Sequence, residues 1–158
     1  RMGIFKKDDI QDYDLVFSSC RENDLPERAF QFLVEWDPTS LLQTYVGQLP
    51  FHEAALTNIR GFTIVFEYGI RYYPFKKGIN LLFQKDNEGD TPFQLACQNY
   101  GRDKVMNVVA EVLTRYAQNT PLNSSEAVIV AAVDDNIHFD CVYFLIRREP
   151  DLVLRLLQ

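Results

Sequence analysis

Cysteine and histidine are scarce in this sequence, and their arrangement argues against a metal centre or a disulfide framework. The three cysteines, Cys20, Cys97 and Cys141, form an odd and widely separated set, unlike the cysteines of disulfide-rich domains. With His52 and His138 they do not form the closely spaced ligand pairs that a tetrahedral zinc site typically uses. We therefore expect buried free thiols, no metal and no cofactor, and a reducing compartment, cytoplasmic or nuclear.

Long apolar runs are also lacking, and basic residues are outnumbered. The longest wholly apolar run, residues 127–133, is far shorter than the roughly 20 residues that a membrane-spanning helix needs. The net charge is −6, from 16 Lys and Arg against 22 Asp and Glu, which works against a nucleic-acid or anionic-membrane partner. We expect neither nucleic acid nor membrane insertion. The chain begins at Arg1, which is compatible with a targeting segment outside this sequence.

Motifs of common catalytic sites are missing as well. The sequence contains no glycine-rich phosphate loop and no Gly-x-Ser-x-Gly nucleophile elbow. Its carboxylates cluster in residues 8–14 and 134–135, at turn and first-turn positions where they are solvated or favour the helix dipole. Neither cluster spells a calcium-binding loop. We expect no catalytic residues and no enzyme.

What the sequence does contain is a helical pattern. Of its 158 residues, 47% are hydrophobic and 24% are charged, so a folded domain is expected. Residues 86–115 are the most informative: a turn around Gly89, a helix start at Thr91-Pro92, a break at Gly101, and then apolar residues at helical spacing. These signals predict a short helix, a tight turn and a longer helix.

A second segment repeats this pattern. Residues 47–55 and 89–97 have their glycines 42 positions apart, and likewise their alanines, Ala54 and Ala96. Both segments resemble the ankyrin repeat, whose pattern is roughly G-x-T-P-L-H-x-A-A. They depart from it at Leu49, where Thr is usual, and at Gly101, which lies one position late, so the first helix or turn there should be slightly longer.

The resemblance implies a mostly α-helical, ankyrin-like solenoid of about four helix–turn–helix repeats with short hairpin tips. The alternative is a TPR-like or HEAT-like helix-pair solenoid without hairpin tips. The repeats are expected at residues 10–42, 43–83, 84–119 and 120–150 of one domain, and residues 151–158 should start a further helix.

The helices expected outside the two motifs come from apolar spacing alone. Residues 10–20 should form one helix, and residues 61–70 another with Phe62, Ile64, Val65, Phe66 and Tyr68 in the core. A helix starting at Leu25-Pro26 should bury Ala29, Phe30, Phe32, Leu33 and Trp36. Residues 127–133 should be capped by Ser124 or Ser125, followed by a turn at Asn136. The second helix of this pair, residues 139–147, should bury Phe139, Val142, Tyr143, Leu145 and Ile146.

The connector between the two motif-bearing repeats is about nine residues longer than in ankyrin proteins, whose repeats run to roughly 33 residues. It contains Tyr72, Tyr73, Phe75, Lys76 and Lys77, and exposed aromatics and cations are common at interfaces. These residues could form a binding patch. Alternatively, the aromatics fold back over the preceding helix while both lysines stay solvated.

The resemblance assigns His52 a structural role. At this position of ankyrin repeats the imidazole hydrogen-bonds the backbone and ties neighbouring hairpins together, and Gln94 occupies the same position in the next repeat. His138, at a helix start, is interpreted as a surface or capping residue. No acid–base role is expected for either histidine.

The resemblance also implies a partner surface, formed by the hairpin tips and the exposed side of the first helices. We therefore predict a non-catalytic protein–protein interaction module whose partner is another protein. Alternatives are a regulatory or scaffolding segment of a larger protein or enzyme complex, and an enzyme in its own right. The candidate partner-binding residues are Tyr45, Gln48, Thr57, Asn58, Tyr72, Tyr73, Asn87, Glu88, Asp90, Gln98 and Asn99.

Overall fold

Every regular element that the computed structural model describes, in residues 3–73, 77–117 and 124–158, is a helix. The mostly α-helical fold class is thereby confirmed. Within these ranges, extended pairing is limited to isolated bridges between Tyr45 and Gln48 and between Gln84 and Ile137. The helices are α1 (Lys7–Asp12), α2 (Leu15–Cys20), α3 (Glu27–Trp36), a 3₁₀ helix (Pro38–Leu42), α4 (Pro50–Thr57), α5 (Ile59–Tyr72), α6 (Lys77–Leu81), α7 (Pro92–Tyr100), α8 (Arg102–Ala117), α9 (Ser124–Val133), α10 (Asp140–Arg148) and α11 (Leu152–Leu156).

The first predicted helix is broken in two. Residues 10–20 were expected to be continuous, but Asp14 adopts a left-handed conformation with φ of 49° and separates α1 from α2. Asp is one of the few residues that tolerate this backbone. The side-chain amide of Gln43 donates to the carbonyl of Gln11 at 2.9 Å and to Oδ1 of Asp14 at 3.4 Å. A loop distant in sequence therefore holds the break, which apolar spacing could not reveal.

Helix α3 buries a narrower face than expected. Phe30, Leu33 and Val34 are buried, as their i, i+3, i+4 spacing requires. The prediction was wrong for Ala29, Phe32 and Trp36, which are exposed; Phe32 is 55% exposed. The Phe32 and Trp36 rings instead meet edge to face on the surface, with centroids 5.4 Å apart.

The two motif-bearing segments form helix pairs that contact each other. Helix α4 pairs with α5 and α7 with α8, while α4 packs on α7 and α5 on α8. The Thr91 hydroxyl accepts from the backbone N–H of Gln94 as predicted, whereas Leu49 offers no such cap. Gly101 ends α7 with φ of 87°, and α7 has nine residues against eight in α4. The late glycine thus lengthens the helix as expected. The predicted core residues of α5 are all buried.

The long connector contains a helix that the sequence analysis missed. Helix α6 brings Ile79 into the core, followed by Leu82 and Phe83, and it contacts both α5 and α9. Gly78 lies so close to α5 that an added Cβ would be 2.4 Å from the carbonyl oxygen of Tyr73 and 2.8 Å from that of Gly69. Phe75, Lys76 and the side chain of Lys77 lie outside the described part.

The last helices differ from the prediction in their buried faces. Helix α10 buries Cys141 and Leu145, while Phe139 and Tyr143, which were expected in the core, are exposed; Tyr143 is 61% exposed. Their i, i+4 positions lie on the opposite side of the helix from Cys141 and Leu145. Helix α11 appears where a further helix was expected, with only Leu152 buried.

The turn and cap expected around α9 also differ. Ser124 is the first residue of α9 and not its N-cap, and its hydroxyl donates to the carboxylate of Glu149. Asn136 is not among the residues with positive φ. Instead, Oδ1 of Asp134 accepts from the backbone N–H of Asn136 at 2.9 Å, so an aspartate side chain shapes the turn.

The close approach of α6 to α5 predicts the effect of two glycine substitutions. Gly78→Ala should lower the free energy of unfolding by more than about 2 kcal/mol, because the new methyl group meets backbone atoms that cannot move aside. Gly69→Ala is the matched control: its Cβ would meet only Leu81 at 3.5 Å, and alanine favours the helix by about 1 kcal/mol. Urea unfolding measures both, and equal effects would contradict the packing.

Candidate functional site

The first predicted hairpin tip is a tight turn with strained backbone. Tyr45 and Gln48 exchange two backbone hydrogen bonds, of 2.8 and 3.0 Å. Between them, Val46 and Gly47 both have positive φ, of 51° and 80°, as a type I′ turn requires. A positive φ is a genuine outlier for a β-branched residue. Val46 is nevertheless 78% exposed. The strained backbone conformation therefore places an apolar side chain in solvent.

The second predicted tip is built around Asp86. Its Oδ1 accepts from the backbone N–H groups of Glu88 and Asp90, both at 2.9 Å, and its own N–H donates to the Asp90 carbonyl. Burial alone would raise the pKa of Asp86, but hydrogen bonds from Gln48, Asp90 and Glu88 outweigh burial and lower it. Gly89 completes the turn with φ of 89°.

The two tips contact each other through predicted site residues. Nε2 of Gln48 donates to Oδ2 of Asp86 at 3.1 Å, and Nδ2 of Asn87 donates to the carbonyl of Val46 at 3.4 Å. The missing side chain of Gly47 makes room for Asn87, since an added Cβ would be 2.1 Å from its amide nitrogen. Residues that are about 40 positions apart in sequence therefore form one surface. We call Tyr45, Val46, Gln48, Asn87 and Glu88 the tip surface.

The side chain of His52 links the two tips through hydrogen bonds to their backbone. It is fully buried. Nδ1 accepts from the backbone N–H of Leu49 at 3.0 Å, so the neutral ring carries its proton on Nε2, which lies 3.0 Å from the carbonyl of Gln84 and 3.2 Å from that of Asp90. This is the backbone link that the resemblance implied. Burial lowers the pKa of His52, opposed by Asp86 and by the two carbonyls.

Gln94 repeats part of this arrangement one helix pair later. Its Oε1 accepts from the backbone N–H of Thr91 at 3.2 Å, and its Nε2 lies 3.3 Å from Nε2 of His138. His138 also accepts at Nδ1 from the N–H of Asp140, which is the capping role expected of it. Lys85 N donates to the Asn136 carbonyl at 2.8 Å. The turn before α10 is thus joined to the turn before α7.

The other predicted partner-binding residues are distributed differently. Asp90 is half-buried, and Gln98 and Asn99 are exposed at the end of α7, where Nδ2 of Asn99 reaches the Ala55 carbonyl at 3.4 Å.

Thr57 and Asn58 stabilise helix ends. Thr57 donates to the Glu53 carbonyl, and Asn58 caps α5 by accepting from the N–H of Gly61. Tyr72 and Tyr73 are half-buried and pack against the core, which is the fold-back alternative.

Sequence reasoning missed a groove between α8 and α10. Its volume is about 740 Å³, and its lining includes Arg102, Met106, Ala110, Phe144, Arg147 and Arg148. The signal was the aromatic pair Tyr143-Phe144 one helical turn before the basic pair Arg147-Arg148. The sequence analysis assigned Tyr143 to the core and gave no role to Phe144 or to the two arginines.

The described residues offer little for metal, thiol or membrane chemistry. Residues 3–73, 77–117 and 124–158 contain no group of three His, Cys, Asp or Glu side chains placed to hold a metal ion. The three thiols are free. Burial raises the pKa of Cys20, and it raises that of Cys141 to about 12, so both thiols stay protonated and unreactive at neutral pH. No described helix has the length and apolar character needed to cross a bilayer.

Comparison with known proteins identifies no relative of this chain. No family model matches the chain, and no curated protein or solved structure is significantly similar to it. The function therefore has to be inferred from the contacts described above.

The buried hydrogen bonds of His52 predict how its variants behave. His52→Ala should lower the free energy of unfolding by at least about 3 kcal/mol, because several backbone groups lose a partner and each unsatisfied group costs roughly 1–3 kcal/mol. His52→Gln should cost about 1 kcal/mol or less, because Gln94 makes the same N–H contact in the next helix pair. Urea unfolding at pH 7 measures both.

The same experiment at lower pH tests the protonation state. Because the pKa of His52 is lowered, the unfolded chain binds a proton below about pH 6.5 that the folded chain does not bind. Stability should therefore fall as the pH drops below that value, by at most about 1.4 kcal/mol per pH unit from this group. A wild-type protein and a His52→Gln variant with identical pH dependence between pH 7 and 5 would contradict the buried neutral ring.

The strained backbone of Val46 predicts a stabilising substitution. Val46→Asn should raise the free energy of unfolding by about 1 kcal/mol, because asparagine is preferred at the first central position of a type I′ turn, whereas a strained residue costs about 1–3 kcal/mol. Val46→Thr keeps the β-branch and is the matched control, expected to gain nothing. Thermal unfolding of the three proteins decides, and equal midpoints for all three would argue against the strain.

Proposed function

We propose that this chain is a non-catalytic protein-interaction module, built as an ankyrin-like stack of helix pairs. The observation that carries the proposal is the buried His52, whose hydrogen bonds join two successive tips. The α4–α5 and α7–α8 pairs correspond element by element: first helix on first helix, second on second, and tip on tip. Such units bury their apolar faces only by stacking on neighbours, so the stack is continuous and rigid.

Rigidity suits the tip surface for binding. The side chains of Gln48 and Asn87 are already held in place by hydrogen bonds between the tips. Little conformational entropy is therefore lost when a partner docks. The strained and exposed Val46 fits this role, because backbone strain of this kind concentrates at functional sites.

The charge of the surface favours a partner that presents cations. Glu88 is exposed, and Asp86 and Asp90 flank it in the same tip. Complementary charge raises the association rate and excludes wrong partners. Direct contact with a basic protein surface is thus the expected mode.

A second candidate function is a regulatory or scaffolding segment of a larger protein or assembly. It is favoured by α11, where Val153, Leu154 and Leu157 are exposed. Apolar side chains that are grouped on one exposed helix are typical of a face that another surface covers. Under this alternative, Leu154→Glu would abolish association and tip variants would not.

Charge reversal at the tips tests the main proposal. A partner is first identified by affinity capture with the intact chain, and its binding is then measured by calorimetry with both proteins purified. Glu88→Lys and Gln98→Lys should weaken binding at least about tenfold, because both side chains are exposed and each new lysine sets a positive charge against a basic partner. Arg28→Glu on α3, also exposed, is the control and should bind like wild type.

Two results would contradict the proposal. Unchanged affinity of both lysine variants would exclude the tips and the end of α7 as the binding face. Turnover of a substrate by the purified chain, lost in His52→Gln while the fold persists, would show that the protein is an enzyme.

A further inference from the structure

The groove between α8 and α10 is a second possible site, separate from the tip surface. Arg102, Met106 and Ala110 lie along α8 at spacings of four residues, and Asp140, Phe144 and Arg148 lie along α10 in the same way. Residues at this spacing share one helix face. At 1.5 Å rise per residue, each helix lines the groove over about 12 Å. The groove therefore runs lengthwise between two helices.

The floor of the groove is apolar and preformed. Phe93 is buried, and Met106, Ala110 and Phe144 are half-buried. The Phe144 ring lies 6.4 Å from that of Phe93 and 5.5 Å from that of Phe83, centroid to centroid. Such ring contacts fix side chains that could otherwise fill the groove. An apolar group entering the groove would meet aromatic surface without rearrangement.

The basic residues of the groove lack carboxylate partners. In the part of the chain that the structure describes, Arg102, Arg147 and Arg148 form no ion pair. Arg28 and Arg71 do not either, but they lie on other helices, and the remaining described arginines each pair with a carboxylate: Arg21, Arg60, Arg115 and Arg155. Three guanidinium groups without a partner thus line one groove, and guanidinium is the group best suited to bind carboxylates in bidentate fashion.

The charges are arranged unevenly along the groove. Burial raises the pKa of the Cys97 thiol. The charge of Arg102 acts to lower this pKa, and the charge of Asp140 acts to raise it. Arg102 and Asp140 therefore lie at the same end, beside Cys97, and Asp103 adjoins them. His138 also faces Asp140, at 3.4 Å. Arg147 and Arg148, about two turns further along α10, make the opposite end basic.

We propose that this groove binds an acidic amphipathic peptide segment of a partner protein. An aromatic or long aliphatic side chain occupies the floor at Phe93 and Phe144, and neighbouring carboxylates pair with Arg147 and Arg148. This is the helix-in-groove mode of recognition, in which apolar anchors give affinity and flanking charges give direction.

The charge distribution favours a peptide over nucleic acid or lipid. A nucleic acid presents phosphates along its whole length and needs cations throughout, but Asp103 and Asp140 lie at one end of the groove. A free small anion would use the arginines and leave the apolar floor uncovered. A peptide with both apolar and acidic side chains complements the apolar floor and the basic end, where Arg147 and Arg148 lie.

Selection from a random peptide display library against the intact chain tests the proposal. The selected peptides should combine an aromatic or aliphatic anchor with Asp or Glu on one side. Their affinity, measured by fluorescence anisotropy with labelled synthetic peptides, should fall at least about tenfold in Arg147→Glu and also in Ala110→Trp, which fills the floor. Arg28→Glu, an equal charge change on α3, and Glu88→Lys on the tips should leave the affinity unchanged.

The alternatives have distinct outcomes. Selected peptides without acidic residues, or peptides that bind Arg147→Glu and Ala110→Trp as tightly as wild type, would overturn the proposal. So would a failure to select any peptide. Binding of a single-stranded RNA or of vesicles rich in phosphatidylserine that is lost in Arg147→Glu would assign the groove to another class of partner. Circular dichroism of each variant confirms that the fold is intact.

Discussion

A buried imidazole with all its hydrogen bonds satisfied is the constraint on which the centre of this structure depends. His52 accepts from the backbone N–H of Leu49, as Gln94 accepts from that of Thr91, and it also reaches the backbone of the next tip. An unsatisfied polar group in such a place would be costly, so these hydrogen bonds favour the observed relative position of the two tips. The contacts of Gln48 and Asn87 follow from that position. One side chain thereby couples local turn geometry to the packing of helix pairs.

Further along the chain the packing departs from strict repetition. The long connector folds as α6, and α9 contacts α6 in addition to its partners α10 and α11. Helix α10 is held by Phe144 against Phe83 and Phe93. A groove remains between α8 and α10.

Prediction from the sequence succeeded where the determining interactions are local. Thr91, Gly89 and Gly101 act within their own turns, and the structure shows each in its expected role. The prediction of which helix face is buried was less successful. Phe32 and Tyr143 have apolar side chains at helical spacing, yet they are exposed. The apolar character of a side chain indicates the free energy that its burial would contribute. Whether it is buried depends on whether a neighbouring helix packs against it.

Local sequence signals were enough to predict that the chain is helical, where most helices begin and end, and that His52 and Gln94 occupy equivalent places. These features depend on caps, glycines and apolar spacing within a few residues. Long-range packing, in contrast, sets the break at Asp14, the helix in the connector and the groove lined by unpaired arginines. Each of these depends on contacts between residues distant in sequence, whose geometry is set by packing and not by any local preference.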